Sequence, residues 1–261
     1  MSGLGWGYQG ARGRSRTPGF IDYKASRPAS LAGKVLHLKP GIGVWEDSGR
    51  TTVPDDGDSI YYWDDQSGAG NHMMQATADN RPLFQTGIVG SYAAVEFDGT
   101  NDLLSVAAAL CTQTTGTVFL VPYLSSNSEH GVMFGVGGAD TNGWKVGVGA
   151  SNLETNGNDL IILHDGVRWI DTNTTIGTGA HVITVQYSGG TPYAWIDGVS
   201  VGNIGGLGAV APSAVSYLGG DGATAARYYT DQLLEVVVSS LAVTSAQRTG
   251  METFLMRKYG V

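Results

Sequence analysis

Apolar, β-branched and aromatic residues recur along this chain in short runs separated by glycine, aspartate and asparagine. Val35–Leu38, Ala93–Phe97, Leu103–Val106, Thr117–Tyr123, Val132–Val136 and Trp144–Val148 read as strands. So do Leu160–Leu163, Val167–Ile170, Val182–Tyr187, Tyr193–Ile196, Val215–Leu218 and Gln232–Ser239. Alternation is clearest in 181–187, where Ile183, Val185 and Tyr187 fall on one face and Val182, Thr184 and Gln186 on the other. Leu234, Val236 and Val238 repeat it near the end. Asp165-Gly166, Gly189-Gly190 and Asp197-Gly198 join such runs and supply the positive φ that two-residue hairpin loops require. One helix is predicted, at the C-terminus. Thr244 and Gln247 form a capping-box pattern, Met251, Phe254, Leu255 and Tyr259 make one apolar stripe, and Gly260 suits the stop.

Composition narrows the class. Forty glycines without a period of three, in a chain 42% hydrophobic and 15% charged, mean many tight turns rather than collagen. No apolar run has the length of a membrane helix. Residues 1–19 lack the apolar stretch of an export signal, so none is expected. The single Cys111 excludes an internal disulfide and reads as a small buried apolar residue. The net charge of −8 conceals an asymmetry. Residues 1–34 hold six basic residues and one acidic, a net of +5; residues 35–261 hold nine basic and 22 acidic, a net of −13. The expected layout is a basic, Gly-rich, extended N-terminal arm over 1–34 and one β-sandwich over 35–261.

Two motifs carry the most specific signal. Trp63-Asp64-Asp65-Gln66-Ser67-Gly68-Ala69-Gly70-Asn71 runs on to Asn80-Arg81-Pro82, and Val95-Glu96-Phe97-Asp98-Gly99-Thr100-Asn101-Asp102 follows. Together with the closing Glu235–Tyr259 stretch they resemble the LamG-like jelly rolls of the concanavalin A-like lectin/glucanase group. That resemblance implies a two-sheet antiparallel jelly-roll sandwich with an N-terminal arm and a short C-terminal helix. It leaves function open, because lectins, glycosidases and virion parts share the scaffold.

Each candidate site has a structural alternative. Asp64, Asp65, Asp98 and Asp102 are turn formers first, and weak candidates for a calcium ion should the loops meet. Glu96 and Asp98 share a strand face, but the third carboxylate of a Glu-x-Asp-x-x-Glu glucanase strand is missing, since Asn101 stands there. No catalytic residues and no cofactor are therefore expected. Trp63 and Trp195 are the candidates for stacking on a glycan. The five histidines lack zinc spacing, and the Gly219-Gly220-Asp221-Gly222 run is a turn. Arm residues Trp6, Tyr8, Arg12, Arg14, Arg16 and Phe20 are candidate partner contacts, with protein favoured over nucleic acid.

Combined with the resemblance, these features lead to an expectation of a non-enzymatic bacteriophage virion protein, a capsid decoration or a tail or fibre component. It would be assembled in the host cytoplasm and incorporated into the virion. Its arm would anchor it to major capsid or tail proteins, and homo-oligomers are expected; no membrane is involved. A carbohydrate-binding lectin or adhesin that recognises a cell-surface glycan is the alternative, and a glycoside hydrolase is the least favoured reading.

Overall fold

A computed structural model describes residues 30–112, 114–127, 130–137, 143–149, 158–163, 169–204, 215–222 and 227–261. Its strands, in chain order, are β1 Lys34–Leu38, β2 Val44–Trp45, β3 Tyr62–Trp63, β4 Met73–Met74, β5 Leu83–Val89, β6 Tyr92–Asp98, β7 Leu104–Val106, β8 Thr115–Leu124 and β9 Gly131–Val136. They continue as β10 Trp144–Val148, β11 Asp159–Leu163, β12 Trp169–Thr175, β13 Gly179–Ala180, β14 Ile183–Ser188, β15 Thr191–Ile196, β16 Val199–Asn203, β17 Ser216–Leu218 and β18 Thr230–Ser239. Helix α1 spans Ser245–Tyr259.

The strands form two antiparallel sheets, as the alternating pattern predicts. One runs β16-β15-β14-β8-β18-β6-β5, with β1 also on β18 and β13 on β8; the other runs β12-β11-β10-β9-β17-β7-β4-β3-β2. Val95, Phe97, Val118, Leu120, Val236 and Val238 of the first sheet meet Phe134, Trp144, Val146 and Leu218 of the second in one buried core. The opposite face of the first sheet is also covered. Phe119, Val121, Leu234 and Val237 pack under Met251, Leu255 and Tyr259 of α1. Central strand β8 is therefore buried on both faces, which explains its nearly unbroken apolar sequence.

The expected alternation in β18 breaks at a bulge. Its register against β8 shifts between Leu233 and Glu235, beside Pro122, which has no N–H to offer the ladder. Leu233 thus joins Val236 and Val238 in the inter-sheet core, while Leu234 turns to the helix. The bulge also places Glu235 on the covered helix side of the sheet, where His37 Nε2, Lys258 Nζ and Tyr259 Oη approach its carboxylate at 2.6, 2.6 and 2.7 Å. These contacts tie β1, β18 and α1 together.

The helix ends as its sequence predicts. Thr244 Oγ1 accepts the Gln247 N–H, the Gln247 side chain accepts the Thr244 N–H, and Gly260 takes a left-handed φ of 76°. Leu31, placed in the arm by composition, is buried against the α1 side of the first sheet. The packed body therefore includes residues just before β1. Trp6, Tyr8, Arg12, Arg14, Arg16 and Phe20 lie outside the described residues, as does the Asp165-Gly166 turn.

Candidate functional site

The side chains of Glu96 and Asp98 alternate with the core residues Val95 and Phe97 and so leave the inter-sheet core, as residues two apart on a strand must. Gln232 of β18 lies directly opposite Glu96 in the register, and Leu83 of β5 lies opposite it on the other side. Gln232 Nε2 donates to Glu96 Oε1 at 2.8 Å, and Gln85 Nε2 donates to Oε2 at 2.7 Å. Both carboxylate oxygens are thereby oriented by amides from the two flanking strands. Beside them opens a cleft of about 390 Å³, lined by Glu96, Asp98, Asp102, Thr230, Asp231 and Gln232 with Leu83, Phe97 and Ser125. This volume falls within the roughly 300–1,000 Å³ usual for small-molecule sites.

The far wall is held under backbone strain. Asp231 has φ of 135°, a conformation L residues seldom adopt, and its carboxylate accepts the N–H and Oγ–H of Ser125 at 2.7 and 2.9 Å. Behind it, His130 Nδ1 faces the Thr230 carbonyl at 2.9 Å and Nε2 faces the Ser126 carbonyl at 3.0 Å. A neutral imidazole has one N–H, so two carbonyl acceptors favour the cation. Burial alone would lower the His130 pKa, but hydrogen bonds to Asp231 and to both carbonyls outweigh it and raise the value.

The near wall is a reciprocal turn. Asp98 Oδ1 accepts the N–H groups of Thr100, Asn101 and Asp102, and Asp102 Oδ2 accepts the Asp98 N–H at 3.0 Å. Gly99 permits the turn with φ of 73°, and a Cβ there would collide with Thr230 Oγ1. The two carboxyls diverge in acidity. Burial pushes Asp98 up, but its backbone N–H donors win and hold it below the usual range. Burial, then the charge of Asp98, pushes Asp102 up to about 6.

The other sequence candidates sit elsewhere. Trp63 is fully buried, with Nε1 donating to the Lys39 carbonyl at 3.0 Å, so its assignment as a glycan platform is corrected: the ring is core. Trp195 is half-buried on β15, stacked near Tyr193 at 6.3 Å and covered by the Arg248 guanidinium at 4.0 Å. It does not line the cleft. Asp65 accepts N–H groups from His37, Ser67 and Asn71, and Asp64 accepts Trp45 Nε1–H and Arg50 Nε–H. Among the described residues no three His, Cys, Asp or Glu side chains are grouped to hold a metal ion. Asp64 and Asp65 pin one loop, and Asp98 and Asp102 pin another. Gln85, Ser125, Thr230, Asp231 and Gln232 were not singled out by the sequence. Their signal was only polar residues at strand ends, which acquires meaning once β5, β6 and β18 are known to be neighbours.

No family model matches the sequence, and no curated protein matches it. Solved structures match its fold. Domain 4 of the GH43 extracellular arabinanase AbnA from Geobacillus stearothermophilus, solved with arabinotriose, is 16% identical with a TM-score of 0.56; the alignment covers 85% of this chain and 99% of that domain. A GH54 α-L-arabinofuranosidase is 13% identical with a TM-score of 0.65, over 88% of this chain and 60% of that one. Trypanosoma rangeli sialidase is 14% identical with a TM-score of 0.50, over 88% of this chain and 34% of that one. At these identities the likeness is one of fold. It corrects the expectation of a non-enzymatic bacteriophage virion protein: these three structures that share the architecture come from glycosidases, and none of them ties it to a virion.

Proposed function

We propose that this chain is a carbohydrate-binding β-sandwich whose cleft between Leu83, Glu96 and Gln232 takes a neutral oligosaccharide. The observation that carries the reading is the Glu96 carboxylate, held by two amides from neighbouring strands at the lip of an open cleft. A carboxylate with its orientation already fixed accepts sugar hydroxyls without a further ordering cost. Asp98, Thr230 and Ser125 add acceptors and hydroxyls, and Leu83, 36% exposed, adds apolar surface for a sugar ring. The crowd of carboxylates disfavours acidic sugars by like-charge repulsion. The arabinanase domain solved with arabinotriose, matched along almost its whole length, supports a neutral pentose oligosaccharide as the first probe. The LamG-like resemblance of the Asp-rich motifs belongs to the same proposal. Calorimetric titration of arabinotriose into the wild type and Glu96→Gln tests it: a saturable wild-type isotherm weakened in the variant is expected, and equal binding or none overturns it.

A specific observation favours glycoside hydrolysis as a second reading. Asp98 and Asp102 share the cleft with acidities pushed in opposite directions, the arrangement that separates a proton donor from an ionised partner. In this reading Asp102 protonates the leaving oxygen. Against it, Asp102 is only 5% exposed and Asp98 is occupied by three backbone N–H groups. Release of reducing ends from arabino-oligosaccharides, abolished by Asp102→Asn, is the result this reading requires; no release by the wild type rejects it.

A further inference from the structure

The turn after β1 and the loop before β3 enclose a small apolar notch of about 70 Å³, outside the lining of the cleft. Val44 and Phe84 form its buried floor, and Trp45, Val53 and Pro54 stand around it. Val53 is 67% exposed, and Ile42, between the lining glycines Gly41 and Gly43, is 50% exposed. An isolated exposed apolar residue needs no explanation, but two flanking one notch mark a surface suited to a partner.

The surroundings are strongly acidic. Residues 46–58 contain Glu46, Asp47, Asp55, Asp56 and Asp58 against Arg50 alone, and Arg50 is already paired with Asp64 at 2.8 Å. Glu46 is raised above the ordinary carboxylate range by desolvation and then by the charges of Asp58, Asp55 and Asp47, so these groups crowd one another. An occupant should therefore bring apolar anchors flanked by cations.

The chain contains such a segment. Residues 1–29 carry Arg12, Arg14, Arg16, Lys24 and Arg27 against Asp22, with Trp6, Tyr8 and Phe20 interspersed. We infer that residues 1–29 dock in cis on the Ile42–Val53 notch, an aromatic side chain lying across its mouth between Ile42 and Val53 and the arginines against the 46–58 carboxylates. The reach suffices. Ser30 precedes Ile42 by twelve residues, which span at most about 40 Å when extended, and the segment before Ser30 can extend about 95 Å. Covalent linkage supplies a high effective concentration, so modest contacts hold the segment in place.

The test is limited trypsin digestion of the full chain, read by mass spectrometry as the rate of cleavage after Arg12, Arg14 and Arg16. Cleavage tracks the undocked fraction. The variants are Val53→Asp and the pair Glu46→Gln with Asp55→Asn, none of which lines the cleft or adds a tryptic site. Each should speed these cleavages by about tenfold or more, as should 0.5 M salt, which screens the charge contacts, while cleavage elsewhere is unchanged. Equal rates in the wild type and all variants overturn the inference. Protection that disappears on dilution together with a dimer mass overturns docking in cis in favour of a second copy.

Discussion

Gln232 stands directly opposite Glu96 across the β6–β18 pairing, and its amide donates to Glu96 Oε1 at 2.8 Å. Because backbone register sets this contact, the carboxylate is oriented before any ligand arrives. Gln232→Ala should remove one of its two amide supports while leaving the ladder intact. Arabinotriose binding, measured by calorimetry, should weaken by roughly tenfold, the loss of about one well-placed hydrogen bond. The melting temperature should move little, since Gln232 is only half-buried and sits near the start of β18.

Asp102 gives a pH signature. Its folded pKa of about 6 exceeds its ordinary value of 3.8. The folded state therefore binds the extra proton, and the stabilisation this confers is complete below the unfolded pKa and lost as pH rises through about 6. A carbon-detected titration should place the Asp102 carboxyl midpoint near 6. Asp102→Asn should flatten the fall in melting temperature between pH 4 and 6. A midpoint near 4 would contradict the environment described for it.

Gly99 is a conformational requirement. Gly99→Ala must carry a φ of 73° and push its Cβ toward Thr230 Oγ1. A cost of about 1–3 kcal/mol is expected in chemical denaturation, together with weaker sugar binding because Thr230 lines the cleft.

Glu235 gives a stability test remote from the cleft. It is 1% exposed and receives contacts from His37, Lys258 and Tyr259. Burial alone would raise its pKa, but the His37 hydrogen bond and Lys258 outweigh it and lower the value. Its contribution is thus present above about pH 4.5 and is lost as pH falls through the folded pKa. Glu235→Leu leaves the Tyr259 hydroxyl and His37 without their acceptor and should cost about 3–5 kcal/mol in urea unfolding, with sugar binding unchanged.

Fold and site were legible to different degrees. Alternation in 181–187 and the Thr244/Gln247 cap are local chemistry, and both survive in β14 and α1. Strands β2, β3 and β4 are two residues each, too short to show a period. Leu233 and Leu234 point to opposite sides because of a bulge beside Pro122, which no single-strand pattern reveals. Trp63 failed as a site candidate because composition cannot distinguish an exposed aromatic from a core one. The cleft was hidden for a related reason. Leu83, Glu96 and Gln232 are far apart in the chain and become one surface only through the β5–β6–β18 pairing.

The most direct test of the central claim is residue-resolved NMR of the full chain during titration with arabinotriose. The account predicts saturable shifts in the backbone amides of Leu83, Glu96, Thr230 and Gln232, with Tyr193, Trp195 and Val53 unmoved. An absence of shifts with arabinotriose and other neutral oligosaccharides, or shifts centred on Trp195, would contradict it.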